Sequence, residues 1–208
     1  MAIKTIIFDL GKVIVDFDFD EAYRRMGALS GLDREEMRSR LRVNNLVPDF
    51  ESGRIEAAPF VAEVNSRLGL ALAVGDFADL WNSIFHREPI ISESLLAHLR
   101  RSHRLVLLSN TNTLHFEMIR DQFPHIAHFH SLVLSHEVGA LKPNVAIYQA
   151  AVAQSGCAPN ECLFFDDILE NVEGARAAGL QAEQFLGVEK LHRDLERYGI
   201  ALPSIEAA

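Results

Sequence analysis

Apolar residues recur along this chain with two different periods, and the change of period divides it. Short runs of β-branched and bulky apolar residues stand at IKTIIF (3–8), RLVLLS (104–109), SLVLS (131–135) and CLFF (162–165). Runs of this length and composition predict buried strands. Each of the last three is followed by apolar positions at helical spacing: Leu114, Met118 and Ile119; then Ile147, Tyr148, Ala151 and Val152; then Val172 and Ala175, closing on Gly179 as a C-cap. Strand alternating with helix predicts right-handed βαβ units in a parallel sheet. A weaker fifth strand is expected near Gln184 to Leu186.

Residues 18–90 break that rhythm and carry no convincing strand. Asp33, with Glu36 three residues on, resembles a capping box, and Met37 and Leu41 follow at helical spacing. Phe60, Val64 and Leu68 form an i, i+4, i+8 stripe after Pro59, which suits a first helical turn. Phe77, Leu80, Trp81, Ile84 and Phe85 make the strongest amphipathic pattern, with Asp76 placed to cap it. The expected architecture is therefore α/β: a Rossmann-like parallel-sheet core from residues 1–17 and 91–208, and an α-helical cap, residues 18–90, inserted after the first strand. The aromatic stripes are expected to fill the core of that cap.

Composition narrows the partners more than the fold. With 208 residues, 49% of them apolar and 24% charged, the chain suits a soluble globular protein with ample core. A net charge of −9 disfavours nucleic acid and anionic membrane as partners, but leaves room for a small anionic ligand. No apolar run reaches the length of a membrane span and Asp9 interrupts the N-terminal one, so a cytoplasmic location is expected. Cys157 and Cys162 flank a turn-like APNE and read as two reduced thiols. Nothing in the sequence specifies an oligomeric state.

In an open parallel sheet, ligands bind beyond the carboxyl ends of the strands. Asp9 follows the first run, Ser109 and Asn110 close the second, Asp166 and Asp167 close the fourth, and Lys142 with Pro143 precedes the helix after the third. Carboxylates on neighbouring strand ends repel unless a cation separates them, and all-oxygen ligation is what Mg²⁺ prefers.

Four stretches then resemble the haloacid dehalogenase (HAD) superfamily of hydrolases, over essentially the whole chain: IIFDLGKVIVDFD its nucleophile motif, VLLSNTN its phosphate-binding motif, GALKPNVAIY its lysine motif and LFFDDILENVEGARAAG its acidic motif. The FDLGxVxVDFD form is similar to small bacterial sugar-phosphate phosphatases, including those acting on glucose 1-phosphate. The resemblance implies a Mg²⁺-dependent phosphomonoester hydrolase of a small phosphorylated metabolite. Asp9 would be the nucleophile, forming an aspartyl-phosphate. Asp9, the main-chain carbonyl of Gly11, Asp167 and Asp166 would serve the metal, Asp167 directly and Asp166 through water or on Lys142. Ser109, Asn110 and Lys142 would hold phosphate, Lys142 also being catalytic, and Asn171 either orients the acidic loop or is a plain helix residue.

Position 11 departs from the family pattern, in which an aspartate there protonates the leaving group. Such assistance is worth about 10²–10⁴-fold, roughly 3 to 5 kcal/mol. Either the leaving group needs little protonation, or another acid substitutes, or turnover is slow. Asp16 and Asp18 are candidate substitutes, or else solvated acids, and Lys12 is either solvated or phosphate-facing. The alternatives on this fold are a 2-haloacid dehalogenase, against which the Asp166/Asp167 pair argues, and a weakly active or non-catalytic phospho-ligand binder. The turn DFESGRI (49–55) is expected to dip toward the core and offer Glu51 and Arg54 to substrate. His115 either contacts substrate or is solvated, and His125, His128 and His130 are expected on a surface loop.

Overall fold

The computed structural model describes residues 2–202. In chain order the elements are β1 (Thr5–Phe8), β2 (Val15–Phe17), α1 (Asp20–Ser30), α2 (Arg34–Arg42), α3 (Leu46–Glu51), α4 (Ala57–Leu68), α5 (Val74–Trp81), β3 (Phe85–Pro89), α6 (Glu93–Arg100) and β4 (Arg104–Ser109). There follow α7 (Thr113–Gln122), β5 (Ser131–Leu134), α8 (Ser135–Val138), α9 (Val145–Ser155), β6 (Cys162–Asp166), α10 (Leu169–Ala177), β7 (Gln181–Gln184) and α11 (Val188–Arg197). Five strands form one sheet in the order β5-β4-β1-β6-β7, and every pair in it is parallel.

The apolar runs form central strands because both faces of the sheet are covered. Side chains alternate between faces with period two. Ile6, Phe8, Leu105, Leu107, Leu163 and Phe165 pack on one side with α6, α7 and α11. Ile7, Val106, Leu108, Cys162 and Phe164 pack on the other with α9 and α10. At the start of β6 the sulfurs of Cys157 and Cys162 lie 3.6 Å apart and unbonded. No helix of the described residues is long and apolar enough to cross a membrane.

The helices between β2 and β3 bury a cluster of their own, centred on Phe50, Phe60, Phe77 and Trp81, with the Phe50 and Phe60 rings stacked 4.1 Å apart. Leu114 of α7 enters this cluster, so the inserted helices share apolar contact with the sheet-bearing part. Asp33 caps α2 by accepting the Glu36 N–H at 2.8 Å.

Four local expectations need correction. The stretch to residue 90 does contain a strand: β3 pairs antiparallel with β2, joining Val15 to Pro89 and Phe17 to Phe85. This ribbon is largely exposed on the β3 side and has no continuous apolar run to announce it. Phe85 accordingly belongs to β3 rather than to the helix before it. Asp76 lies within the first turn of α5, where its carboxylate meets the positive end of the helix dipole, and Ala73 is the N-cap. The last strand is Gln181–Gln184, upstream of its expected place, an edge strand whose Ala182 is its one buried residue. Finally, His125 is buried, in a single 3-10 turn spanning Pro124–His128.

Candidate active site

Strand order turns scattered sequence positions into neighbours. Because β1 lies between β4 and β6, Asp9 just beyond its end is flanked by Ser109 at the end of β4 and Asp166 at the end of β6. Lys142 enters from the loop before α9, and its Nζ lies 2.7 Å from Asp9 Oδ1 and 2.6 Å from Asp166 Oδ2. The same ammonium donates to the main-chain oxygen of Leu108 at 3.2 Å. Its backbone is clamped by the Asn110 side chain, which accepts the Lys142 N–H at 2.8 Å and donates to the Lys142 carbonyl at 3.1 Å. Asn110 therefore uses its amide to place the lysine.

Asp166 is fully engaged. Besides Lys142, it accepts both Asn171 Nδ2 contacts, at 3.0 and 3.1 Å, and the Ile168 N–H at 2.8 Å. Asn171, in the first turn of α10, thus turns back onto the acidic loop, and its own carbonyl is held by Tyr148 Oη at 2.7 Å. Asp167 is partly exposed beside it, with its main-chain oxygen accepting from Gln184.

Among the described residues, Asp9, Asp166 and Asp167 form the one acidic or histidine cluster that brings ligand atoms within 4.8 Å of one another. His125, His128 and His130 form none. The electrostatics of the acidic cluster are out of balance. Burial pushes the Asp9 carboxyl up to about 7, with Lys142 opposing and Asp166 adding to the rise. Burial, then Asp166, also raises Asp167. Burial would lower the Lys142 ammonium, but Asp9 and Asp166 more than offset it and hold it above its usual value. Two carboxylates thus share one ammonium, with a third beside them, and a hard divalent cation bound by oxygen fits both the donor type and the surplus charge.

A cavity of about 500 Å³ lies between the inserted helices and the loops that follow Asp9 and Ser109. Gly11, Ser109 and Asn110 line its floor; Arg38, Glu51 and Trp81 are among the residues from above. A Cβ on Gly11 would stand 2.7 Å from the Phe17 ring, so the space an acid would need there is filled by an aromatic side chain. Phe17 is held in turn by edge contacts to Phe19 and Phe85.

The proposed substitutes for that acid fall elsewhere. Asp16 pairs with Lys12 at 2.6 Å, and His86 lies 3.2 Å from Asp16 and 2.8 Å from Asp18. Hydrogen bonds from Lys12 and from His86 hold Asp16 and Asp18, respectively, below the usual carboxylate range. Arg54 pairs with Asp49 at 2.8 Å, whereas Glu51 reaches the cavity. His115 is buried, stacked on Trp81, and burial pushes it down to about 4. Its Nδ1 meets Asn112 and its Nε2 the Trp81 carbonyl, so it forms cavity wall rather than a solvated helix position. Two contributors carried no sequence signal. Phe17 depends on the β2–β3 pairing, and Ser135, whose hydroxyl accepts the Thr111 N–H at 2.9 Å, depends on the packing of α8.

Comparison with known proteins agrees with this geometry. The family profile described as haloacid dehalogenase-like hydrolase matches residues 3–179. The chain is 27% identical to the D-ribitol-5-phosphate phosphatase of Bacteroides thetaiotaomicron over 188 residues, covering 88% of this chain and 91% of that protein. It is 30% identical to phosphatase MT3486 of Mycobacterium tuberculosis, covering 88% and 87% of the two chains. A HAD family enzyme from Bacteroides thetaiotaomicron, solved in complex with magnesium and inorganic phosphate, superposes with a TM-score of 0.80 at 25% identity, covering 88% of this chain and 94% of that one.

Proposed function

The chain belongs to the haloacid dehalogenase-like hydrolases, and from that premise we propose that it is a Mg²⁺-dependent phosphomonoesterase acting on a small phosphorylated metabolite of the sugar or polyol class. One observation carries the reading: Asp9 and Asp166, at the carboxyl ends of adjacent strands, are both ion-paired to Lys142, beside a cavity that Gly11 and Ser109 line. A pure binder has no use for a desolvated carboxylate facing its ligand's phosphorus. A dehalogenase attacking carbon has no use for surplus carboxylates that call for a metal. The cavity volume suits a substrate of a few carbons beyond its phosphate. The relatives named as phosphatases, one of them of a polyol phosphate, support the same class.

In this reading Asp9 attacks phosphorus, giving an aspartyl-phosphate that water then hydrolyses. Lys142 and the Ser109 hydroxyl hold phosphate oxygens, Lys142 also orienting Asp9 by its 2.7 Å contact. Asp9, Asp167 and the Gly11 carbonyl would hold Mg²⁺, with Asp166 behind them, and the ion supplies charge neutralisation between nucleophile and phosphate. Asn171 and Asn110 are positioning residues, acting on Asp166 and Lys142. The inserted helices close over the site, exclude water and read the remainder of the substrate.

The test is phosphate release from a panel of sugar and polyol phosphates, with and without Mg²⁺. Release is expected with Mg²⁺, abolished by chelation and by Asp9→Asn while the far-ultraviolet circular dichroism stays unchanged. Full activity in Asp9→Asn, or chloride release from a 2-haloacid without metal, would sink the reading.

A further inference from the structure

Glycine at position 11 leaves the leaving group without the acid that the reaction calls for. We propose that the Glu51 carboxyl, at the end of α3 in the inserted helices, is that acid; this rests on the phosphomonoesterase reading above.

Glu51 lines the same cavity as Gly11, Ser109 and Asn110. Among the described residues its carboxyl has no ion pair or hydrogen bond acting on it, and burial alone pushes it up to about 7. An unpaired, largely buried carboxyl is costly to keep unless a ligand uses it. Its place is also fixed from below. The Ser135 hydroxyl lies 2.5 Å from the Glu51 main-chain oxygen and accepts the Thr111 N–H, so one side chain ties Glu51 to the loop that follows Ser109. Two residues on, Gly53 adopts φ +69°, and a Cβ there would stand 2.1 Å from the His136 carbonyl, so only glycine lets this turn press onto α8. The end of α3 is thereby docked beside the phosphate-holding loop.

The other acids near the site are poorly suited. Asp16 and Asp18 are ion-paired at their surface ribbon and outside the residues that line the cavity. His115 is neutral at ordinary pH, with both ring nitrogens already engaged. The charged or titratable groups that share the surroundings of Glu51 are Tyr23, Arg34, Arg38, Arg42 and His115 in the cavity and His136 on α8.

The chemistry balances over two steps. As an Asp9 oxygen bonds to phosphorus and the ester P–O bond breaks, the Glu51 proton passes to the departing oxygen and an alcohol leaves. Next, a water oxygen bonds to phosphorus, its proton returns to Glu51, and the bond between phosphorus and Asp9 breaks. Inorganic phosphate leaves, and Asp9 and Glu51 regain their starting states.

Glu51→Gln separates acid catalysis from structure, because leaving groups differ in their need for a proton. With Mg²⁺, the variant is expected to lose about 10²–10⁴-fold in kcat/KM on a polyol phosphate. On p-nitrophenyl phosphate, whose leaving group departs as an anion, it should give a first-turnover burst of nitrophenolate as fast as wild type, then slow steady turnover. The burst amplitude counts folded, competent sites. Wild-type kcat/KM on the polyol phosphate should fall as pH rises through about 7, and Glu51→Gln should lose that limb. Asp18→Asn should leave both substrates unaffected. Retention of kcat/KM on the polyol phosphate within about threefold in Glu51→Gln, or an equal loss of kcat/KM on both esters, overturns the proposal. So does loss in Asp18→Asn. A wild-type enzyme silent on every phosphomonoester takes down the phosphatase reading and this proposal together, whereas an active wild type with an unimpaired Glu51→Gln removes the second alone.

Discussion

At position 11 a carboxylate cannot simply be put back. The ring of Phe17 occupies the approach of any side chain there, and that ring is held by Phe19, Phe85 and the Lys12 ammonium 5.0 Å above it. Gly11→Asp is therefore expected to destabilise the fold by about 1 to 3 kcal/mol through overpacking and to gain no polyol-phosphatase activity. Gly11→Asp combined with Phe17→Ala opens the space, and should recover activity in a Glu51→Gln background; urea unfolding and kinetics on the three variants check this. The placing of Asp9, Ser109 and the Asp166/Asp167 pair at strand ends was legible in the sequence, because they are polar types directly after apolar runs, and Lys142 with Pro143 stands just before a helical stripe. Which of the two aspartates faces Lys142 was not, since it depends on a side-chain rotation that Asn171 and the Ile168 N–H decide. The filling of the space at Gly11 was equally hidden, being a contact between residues six apart across a turn.

The elements that were legible are those buried on both faces or along a full stripe: β1, β4, β5, β6 and the helices α4, α7, α9 and α10. The β2–β3 ribbon escaped because its strands are short and half in water, so their pairing leaves no period-two signature. The docking of α3 on α8 escaped for a different reason. It rests on one hydroxyl and one glycine that mean nothing until two distant elements meet. Ser135→Ala tests how far that junction positions Glu51. Losing a buried hydroxyl beside the Glu51 carbonyl and the Thr111 N–H should cost about 1 to 3 kcal/mol of stability. If the junction serves the acid, kcat/KM on a polyol phosphate should fall more than kcat/KM on p-nitrophenyl phosphate. A uniform loss of kcat/KM on both would make the junction structural only.

At the scale of the whole molecule, two apolar cores cover the sheet and a third fills the inserted helices, and the site lies where the third meets the others. Such a junction can hold groups that each core would reject, at a cost in stability that the reaction puts to use. Glu51 makes the cost measurable. Its carboxyl titrates near 4.5 when the chain is unfolded and is pushed by burial up to about 7 when folded. Between those values the folded protein binds the proton and the unfolded chain does not, so this group's contribution to stability declines as pH rises from about 4.5 to about 7, and stays at its lowest above. At pH 8 the charged, buried carboxylate opposes folding by up to about 3 kcal/mol. Glu51→Gln keeps the shape and removes the charge. It should therefore melt several degrees higher than wild type at pH 8, and the advantage should shrink steadily on acidification and vanish near pH 4.5. Calorimetric scans of both proteins at matched ionic strength across that range check the sign. A constant difference at every pH, or a variant less stable at pH 8, would mean that Glu51 finds a partner in solution, and it would then lack the free proton that the missing acid at Gly11 requires of it.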